Sequence, residues 1–260
     1  MSLLCATCEI DFSSAVDVPV ILMLRPRSGM AQWVCCEEYS IEPRLAVIEH
    51  TDMFGNLCQR TVIPPGETRL RAACTVDVVS SVDIDEGAAF VSPSALPEFA
   101  LPFLLPSRYC PSDQLNPLAM EIVASLAPGY RQVEAIREWL YRTLEYRYGH
   151  STQATTAADT ARDHIGVCRD FAHLGIALCR ALNIPARMVV GYAEKTRVPD
   201  VHAWFEAYLG GRWFTFDGTH DRTLGNRIAI AYGRDATDVA FVTHFGPLTL
   251  TRLEVTVIAQ

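Results

Sequence analysis

The sequence predicts an α+β protein in which an all-β sandwich domain precedes a domain of helices followed by an antiparallel sheet. Three observations predict this class. Short alternating runs recur through residues 1–85, a stretch rich in proline and serine spans 86–113, and helical periodicity gives way to further strands within 114–260. We therefore expect a β-sandwich domain at 1–85, a linker at 86–113 and a second domain at 114–260.

The first region is predicted to hold six strands, because β-branched and apolar residues alternate with polar ones between turn-forming segments. The predicted strands are 5–12, 20–24, 32–41, 44–50, 57–63 and 70–82. Strands at this spacing are typical of an antiparallel sandwich. The one histidine of this region, His50, is next to a turn and is interpreted as a surface residue.

The linker is predicted to be extended, because five prolines interrupt it between positions 93 and 111. It also carries phenylalanine, leucine and tyrosine side chains, which a freely solvated tether would lack. We therefore expect it to pack over both domains.

Helical spacing of apolar residues predicts helices at 117–126 and 130–146, then a short alanine-rich helix from Thr156 to about His164. An amphipathic helix with Cys168 in its first turn follows, and Pro185 sets its end. The predicted strands after it are 186–193, 202–209, 212–217, 228–232 and 248–259. Gly210-Gly211 is a two-residue hairpin signal between the second and third of these strands.

Composition excludes several classes of function. The net charge of -8, with no run of Lys or Arg longer than two, argues against nucleic-acid binding. No apolar stretch approaches the length of a membrane span, and the N-terminus lacks the basic region of a targeting segment. We therefore expect no membrane partner and a cytoplasmic protein, and nine cysteines without a signal peptide are expected to be reduced thiols.

A zinc site is one conceivable use of the cysteines Cys5, Cys8, Cys35 and Cys36. Their spacing lacks a second Cys-x-x-Cys or a histidine pair, so we interpret them as small buried residues. No acidic loop has the pattern of a calcium site. We expect neither a metal nor a cofactor.

The candidate chemistry begins at Cys168. The first turn of a helix carries unpaired N–H groups and partial positive charge, which favour a thiolate over a thiol. His202 begins a strand and is the candidate base. In a hairpin around Gly210-Gly211, two residues lie opposite each other when their numbers sum to about 421. The position opposite His202 is then about 219, so Asp217 lies within a diagonal step of His202. Its carboxylate would then fix the imidazole tautomer and stabilise the imidazolium.

Each of these residues also has a structural interpretation. A single cysteine is more often a small buried residue, a strand histidine beside tryptophan is more often packed, and an aspartate at a strand end is more often a turn former. Their joint occurrence favours a site. Among nearby groups, Asp170 is expected to serve the helix dipole or bind backbone N–H, His173 to support packing, His220 to contact Asp217 or a turn, and Glu206 to pair with an arginine.

The chain resembles the transglutaminase-like superfamily of cysteine enzymes. The matching segments are GVCRDFAHL at 166–174, LNIPAR at 182–187, Gly191-Tyr192, HAWFE at 202–206 and WFTFDGTH at 213–220. DMFGN at 52–56 and PSRY at 106–109 are similar to the bacterial subgroup with an N-terminal β-domain. The resemblance implies a papain-like transglutaminase core over 114–260 with Cys168 as nucleophile, His202 as base and Asp217 as orienting carboxylate.

The implied activity is acyl transfer from an amide or peptide bond of a peptide or protein substrate through a thioester. Water in place of an acceptor amine would make the same site a cysteine protease, and a catalytically silent interaction module is the remaining alternative. The N–H of Cys168 is the expected oxyanion donor; Tyr146 or Tyr148 is a second candidate, although packing is the favoured role for both. One departure from the family pattern is Gly218, where proline is usual, which predicts a looser turn after Asp217.

Overall fold

The computed structural model describes residues 2–29, 32–194, 200–223 and 225–260. The β-rich N-terminal region contains the first six strands. They are β1 Ser2–Ser14, β2 Val18–Leu22, β3 Gln32–Glu42, β4 Ile48–Thr51, β5 Leu57–Ile63 and β6 Gly66–Val78. All six predicted strands are present, but the fourth begins later than expected. The carbonyl of Ala46, inside the predicted strand, accepts a hydrogen bond from the Thr61 hydroxyl at 2.8 Å.

These strands form two antiparallel sheets that share one hydrophobic core. The first sheet contains the order β1-β6-β3 and the second the order β2-β5-β4, and each is extended by one strand from the C-terminal end of the chain. The strict alternation of buried and partly exposed residues along a strand explains how these sheets enclose the core. Along β1 the buried positions are Leu4, Ala6, Cys8, Ile10 and Phe12, so one face of the strand lies on the core and the other faces outward.

The last two strands, β13 Val242–His244 and β14 Thr249–Ala259, complete these N-terminal sheets. The sequence correctly predicts a strand at 248–259, but its assignment to the sheet of the second domain is wrong. Cys8 of β1 pairs with Val255 of β14, and Ile21 of β2 pairs with Thr243 of β13. Alternation predicts that a segment is a strand, but it does not identify a partner more than 200 residues away.

The proline-rich stretch is not extended throughout, because it contains the short 3-10 helices Pro93–Ala95, Glu98–Leu104 and Ser112–Gln114. Its Phe103 ring lies 5.9 Å from the ring of Phe54 and 5.4 Å from that of Trp213, measured between centroids. This stretch therefore contacts both the N-terminal sheets and the strands that follow the helices.

The remaining elements form four α-helices and a third sheet. In chain order they are α1 Asn116–Val123, α2 Tyr130–Thr143, β7 Glu145–Tyr146, α3 Ala157–Asp163, β8 Ile165–Gly166, α4 Cys168–Ala181, β9 Ala186–Ala193, β10 His202–Leu209, β11 Arg212–Phe216 and β12 Arg227–Gly233. The third sheet has the antiparallel order β11-β10-β9-β12, and β7 pairs with β8 in parallel. The α+β class is confirmed.

Helix α4 is the centre of this part of the molecule. Both its apolar and its polar side chains are covered, since every residue from position 170 to 180 is buried. Gly175 allows strand β10 to approach closely: a Cβ at this position would lie 2.5 Å from the ring of Phe205. This contact sets the spacing between the start of α4 and the start of β10.

Two amide side chains join the N-terminal sheets to β12, which is an edge strand of the third sheet. Gln32 donates to the Ala229 carbonyl and accepts from its N–H, each at 2.8 Å. Asn56 makes the same pair of bonds with Tyr232, each at 2.8 Å. The two amides satisfy backbone groups that an edge strand would otherwise leave unpaired.

The structure corrects the interpretation of two of the four N-terminal cysteines. Cys35 and Cys36 are exposed, whereas Cys8 is buried and Cys5 is partly buried. The reason is that β3 is an edge strand with a register shift between Val34 and Cys36, which leaves both side chains on the outside. Within the described residues, no helix has the length and apolarity needed to cross a bilayer.

Candidate functional site

Cys168 is the first residue of α4, and the carboxylate of Asp170 organises the backbone around it. Asp170 Oδ2 accepts the N–H of Val167 at 2.9 Å and the hydroxyl of Ser151, while Oδ1 pairs with Arg169 at 3.0 Å. The expectation that Asp170 binds backbone N–H is confirmed. The carboxylate charge is thereby shared between the start of the helix and an arginine.

The hairpin places His202 and Asp217 in contact, as the register arithmetic predicts. Phe205 pairs with Phe216, whose numbers sum to 421. His202 Nε2 donates to Asp217 Oδ2 at 2.8 Å, and both side chains are buried. Because Nε2 is occupied, Nδ1 is the ring nitrogen that remains for Cys168, which is close enough to His202 to raise its pKa. The three predicted residues therefore lie in one row.

Asp217 is only 1% exposed and is held by more groups than the sequence suggests. Arg227 Nη2 contacts its Oδ2 at 2.8 Å, and the backbone N–H and hydroxyl of Thr219 donate to its Oδ1 at 2.9 and 2.6 Å. The Asp217 N–H donates to the hydroxyl of Thr223 at 3.1 Å. Five donors or acceptors fix the residue, so the looser turn expected from Gly218 is not observed.

A second feature keeps this turn in place. Gly218 lies against helix α2, where an added Cβ would come within 2.8 Å of the Leu140 Cβ. The space that a larger residue would need after Asp217 is therefore filled by Leu140.

The pKa values of Asp217 and His202 follow from these contacts. Burial alone would raise the pKa of Asp217, but Arg227 and His202 hold it well below its usual range. Burial alone would lower the pKa of His202, but the charge and hydrogen bond of Asp217, together with the contact to Cys168, raise it to about 9. His202 is therefore an imidazolium at neutral pH, and a neighbouring cation favours the thiolate form of a cysteine.

Arg227 and Thr219 are the residues that sequence reasoning missed. The contact of Thr219 could have been predicted from the sequence, because an aspartate often accepts the N–H of the residue two positions further along. Arg227 had none, since it begins β12, which pairs with β9 and not with the hairpin strands β10 and β11.

Three neighbouring side chains have the structural roles expected of them. His173 is fully buried, accepts the Ala236 N–H at 3.1 Å and stacks on Tyr109, and burial lowers its pKa to about 4. Glu206 accepts from Arg187 Nε at 2.8 Å. His220 lies near Asp217, with Nδ1 3.5 Å from the carboxylate Oδ2 and 2.9 Å from the hydroxyl of Thr219.

His202, Asp217 and His220 offer ligand atoms that all lie within 4.8 Å of one another. Asp217 Oδ2 is also 2.8 Å from the guanidinium of Arg227, so a metal ion here would meet a fixed positive charge. This arrangement favours a hydrogen-bonded role for the three side chains over a metal site.

Cys168 and His202 open into a cavity of about 800 Å³. Its lining includes Arg108, Tyr148 and Asp200. Tyr146 packs beside this wall, with its ring centroid 5.9 Å from that of Tyr148 and 5.9 Å from that of Phe171. The arrangement can present a thiolate, an imidazolium and a backbone N–H to a carbonyl group bound in the cavity.

Comparison with known proteins identifies the family. Residues 116–218 match the transglutaminase-like superfamily core, and residues 8–79 match the bacterial transglutaminase-like N-terminal region. A crystal structure from Cytophaga hutchinsonii, named as a candidate cysteine protease, is 35% identical with a TM-score of 0.93, covering 99% of this chain and 90% of that one.

Relatives of uncharacterized function come from mycobacteria. A Mycobacterium leprae protein is 27% identical, with 84% of this chain and 82% of that protein aligned. A Mycobacterium tuberculosis protein is 28% identical, with 83% of this chain and 77% of that protein aligned. The chain belongs to the transglutaminase-like superfamily, with a core of that type and a bacterial transglutaminase-like N-terminal region.

Proposed function

We propose that this protein is a cysteine-dependent enzyme that attacks an amide or peptide bond of a peptide or protein and passes the acyl group through a thioester. The observation that carries the proposal is the hydrogen-bonded pair of His202 and Asp217 with Cys168 beside it, at the opening of the cavity. In this proposal Cys168 is the nucleophile, His202 the general acid and base, and Asp217 the orienting carboxylate.

The first half of the reaction forms the thioester. The Cys168 thiolate attacks the amide carbonyl carbon, and the carbonyl oxygen becomes an oxyanion. The tetrahedral intermediate collapses as the C–N bond breaks, and the imidazolium of His202 gives its proton to the departing amine or ammonia. The buried charge of Asp217 keeps the imidazole oriented through both proton positions.

In the second half, neutral His202 takes a proton from an incoming amine or water, which attacks the thioester carbonyl. Collapse breaks the C–S bond and returns the thiolate, giving a new amide or a carboxylic acid. An amine makes the reaction a cross-linking transfer, and water makes it a hydrolysis. Hydrolysis is the second candidate, because the Cytophaga hutchinsonii protein of the same fold is named as a candidate cysteine protease.

The oxyanion needs hydrogen-bond donors at the start of α4. The backbone N–H of Cys168 is at this position. Of the two tyrosines, Tyr148 lines the cavity, and we assign the second donor to it. Tyr148 is half exposed and its hydroxyl lies 3.4 Å from Asp200.

Selective alkylation tests the proposed nucleophile. Iodoacetamide at neutral pH is expected to label Cys168 before the other thiols, because the imidazolium stabilises its thiolate. A His202→Ala variant is expected to lose this preference. The exposed pair Cys35 and Cys36 provides an internal control for ordinary thiol reactivity. Peptide mass spectrometry measures the labels, and equal rates at all three thiols would contradict the proposal, which would leave the silent interaction module.

A further inference from the structure

We propose that Arg227 is a positioning residue of the site, which shares the Oδ2 atom of Asp217 with His202 and so keeps the imidazolium able to release its proton. The inference rests on the proposed function and deepens it, because it concerns the balance between the acid and base roles of His202. The second half of the reaction needs neutral His202, so a histidine that held its proton too tightly would not act as the base there.

Two cationic side chains meet on one oxygen of Asp217. Its Oδ2 lies 2.8 Å from His202 Nε2 and 2.8 Å from Arg227 Nη2, while its Oδ1 accepts the N–H and the hydroxyl of Thr219. The side chains of Asp217 and Arg227 are 1% and 8% exposed, so solvent screens these charges little. Each cation stabilises the carboxylate, and each therefore weakens the hold of the carboxylate on the other cation.

The indole ring of Trp204 contacts both cations. Arg227 Cζ lies 5.0 Å from the centroid of that ring, and the His202 ring stacks beside it with centroids 6.1 Å apart and 27° between the planes. Trp204 is itself buried. The guanidinium and the imidazole are thus joined twice, through the carboxylate of Asp217 and through the face of an aromatic ring.

Strand β9 lies between the strands that carry His202 and Arg227, and Gly191 of β9 allows their close approach. Gly191 pairs with His202 of β10 and with Ala229 of β12. A Cβ at this position would overlap the Ile228 carbonyl oxygen and lie 2.9 Å from Trp204 Cη2. The position of Arg227 beside Asp217 is therefore set by the packing of the sheet.

The charge of Arg227 acts on His202 through Asp217. Burial alone would raise the pKa of Asp217, and Arg227 is the group that most opposes this effect. Loss of the guanidinium charge is expected to raise the pKa of His202, whereas loss of the Asp217 charge is expected to lower it. The other titratable groups near His202 are Cys168, Asp200 and His220.

The test measures the pKa of His202 by NMR of histidine-labelled protein. A Cys168→Ala background is used, so that no thiol titrates with the imidazole and no turnover is needed. Arg227→Gln replaces the guanidinium by a neutral amide that is still a hydrogen-bond donor, and the pKa is expected to rise by about one unit. Arg227→Lys keeps the charge and is expected to leave the pKa within about half a unit of the background value.

Arg212→Gln is the matched control, because Arg212 is an exposed residue of β11 that pairs with Asp83. It loses the same charge and is expected to leave the pKa of His202 unchanged. A lower pKa in Arg227→Gln would show that Arg227 only holds Asp217 in place, and an unchanged pKa would show that its charge does not reach His202. Either result would overturn the proposal, as would a larger shift than expected in Arg227→Lys.

Failure of the proposed function is registered separately, by the alkylation rate of Cys168 in the unmodified protein. The NMR titration does not depend on that thiol, so the two results are distinguishable.

Discussion

At the scale of single residues, Asp217 sets the charge of the site. Its carboxylate is buried, yet Arg227 and His202 hold its pKa well below the usual range, so it remains negative at neutral pH. That charge in turn raises the pKa of His202 to about 9. The pair therefore maintains an imidazolium next to Cys168 through the physiological range.

The pH dependence expected of the proposed reaction follows from the raised pKa of His202. The protonated form of His202 gives its proton to the leaving amine in the proposed mechanism. Because the pKa of His202 is raised from 6.5 to about 9, this form persists up to about pH 9 and is lost above it. We expect kcat/KM to fall on the alkaline side near pH 9. The folding stability that comes from the raised pKa of His202 is likewise fully present below pH 6.5 and is lost as the pH rises through 9.

A pH profile of kcat/KM for amide turnover checks this expectation. Asp217→Asn removes the charge, so the residual activity of that variant is expected to fall at a lower pH. An alkaline limb near pH 6.5 in the unmodified protein would show that Asp217 does not hold the imidazolium.

Much of this site could be predicted from the sequence, because it depends on local geometry. A two-residue hairpin loop fixes the register, which brings Asp217 to His202, and the extent of the helix follows from the periodicity after Cys168 and from Pro185 beyond its end. Arg227 could not be predicted. Its contact with Asp217 depends on which strand lies beside β9, and that is set by packing over the whole sheet.

At the scale of elements, the contact between α4 and β10 fixes the distance between Cys168 and His202, the proposed nucleophile and base. Cys168 and His202 are the first residues of these two elements, and Gly175 meets Phe205 where they pack together. The absence of a side chain at 175 is what allows the close approach. The same requirement explains why glycine occupies this position inside a helix, although glycine costs backbone entropy there.

Gly175→Ala is expected to destabilise the protein. Alanine favours helix by up to about 1 kcal/mol over glycine, but its Cβ would overlap the Phe205 ring, and overpacking of a core costs about 1–3 kcal/mol. We expect a lower free energy of unfolding in urea, with slower alkylation of Cys168. The double variant Gly175→Ala with Phe205→Leu makes room and should recover part of the helix gain. A single variant more stable than the parent would refute the packing argument.

At the scale of the whole molecule, the N-terminal sheets and the third sheet are joined at several points. The chain leaves the third sheet after β12 and returns to the N-terminal sheets, where β14 pairs with β1. Tyr192 Oη donates to the Leu24 carbonyl at 2.8 Å, and Asn56 bonds to both backbone groups of Tyr232. None of these contacts has a local sequence signal, which is why the sequence alone assigns the C-terminal strand to the wrong sheet. The domain limits at residues 85 and 113 and a cytoplasmic location remain predictions.

Asn56→Ala tests the connection between the sheets. The change leaves the N–H and carbonyl of Tyr232 without their side-chain partners, and each unpaired buried group costs about 1–3 kcal/mol. We expect a loss of about 2–4 kcal/mol in urea unfolding monitored by tryptophan fluorescence. Asn116→Ala, at an exposed position with one bond to the Ala181 carbonyl, is the matched control and should lose far less. Equal losses would mean that the amide contacts do not stabilise the connection.

The central claim is that Cys168 attacks an amide and forms a thioester. The most direct measurement is ammonia release from a library of glutamine-containing peptides, with and without a primary amine, followed by mass spectrometry of the products. We expect ammonia with amine-linked peptide when the amine is present, and ammonia with glutamate, or shorter peptides from backbone cleavage, when water is the acceptor. Cys168→Ala should abolish all of these products. Unchanged peptides with the unmodified protein, or the same products with Cys168→Ala, would contradict the claim.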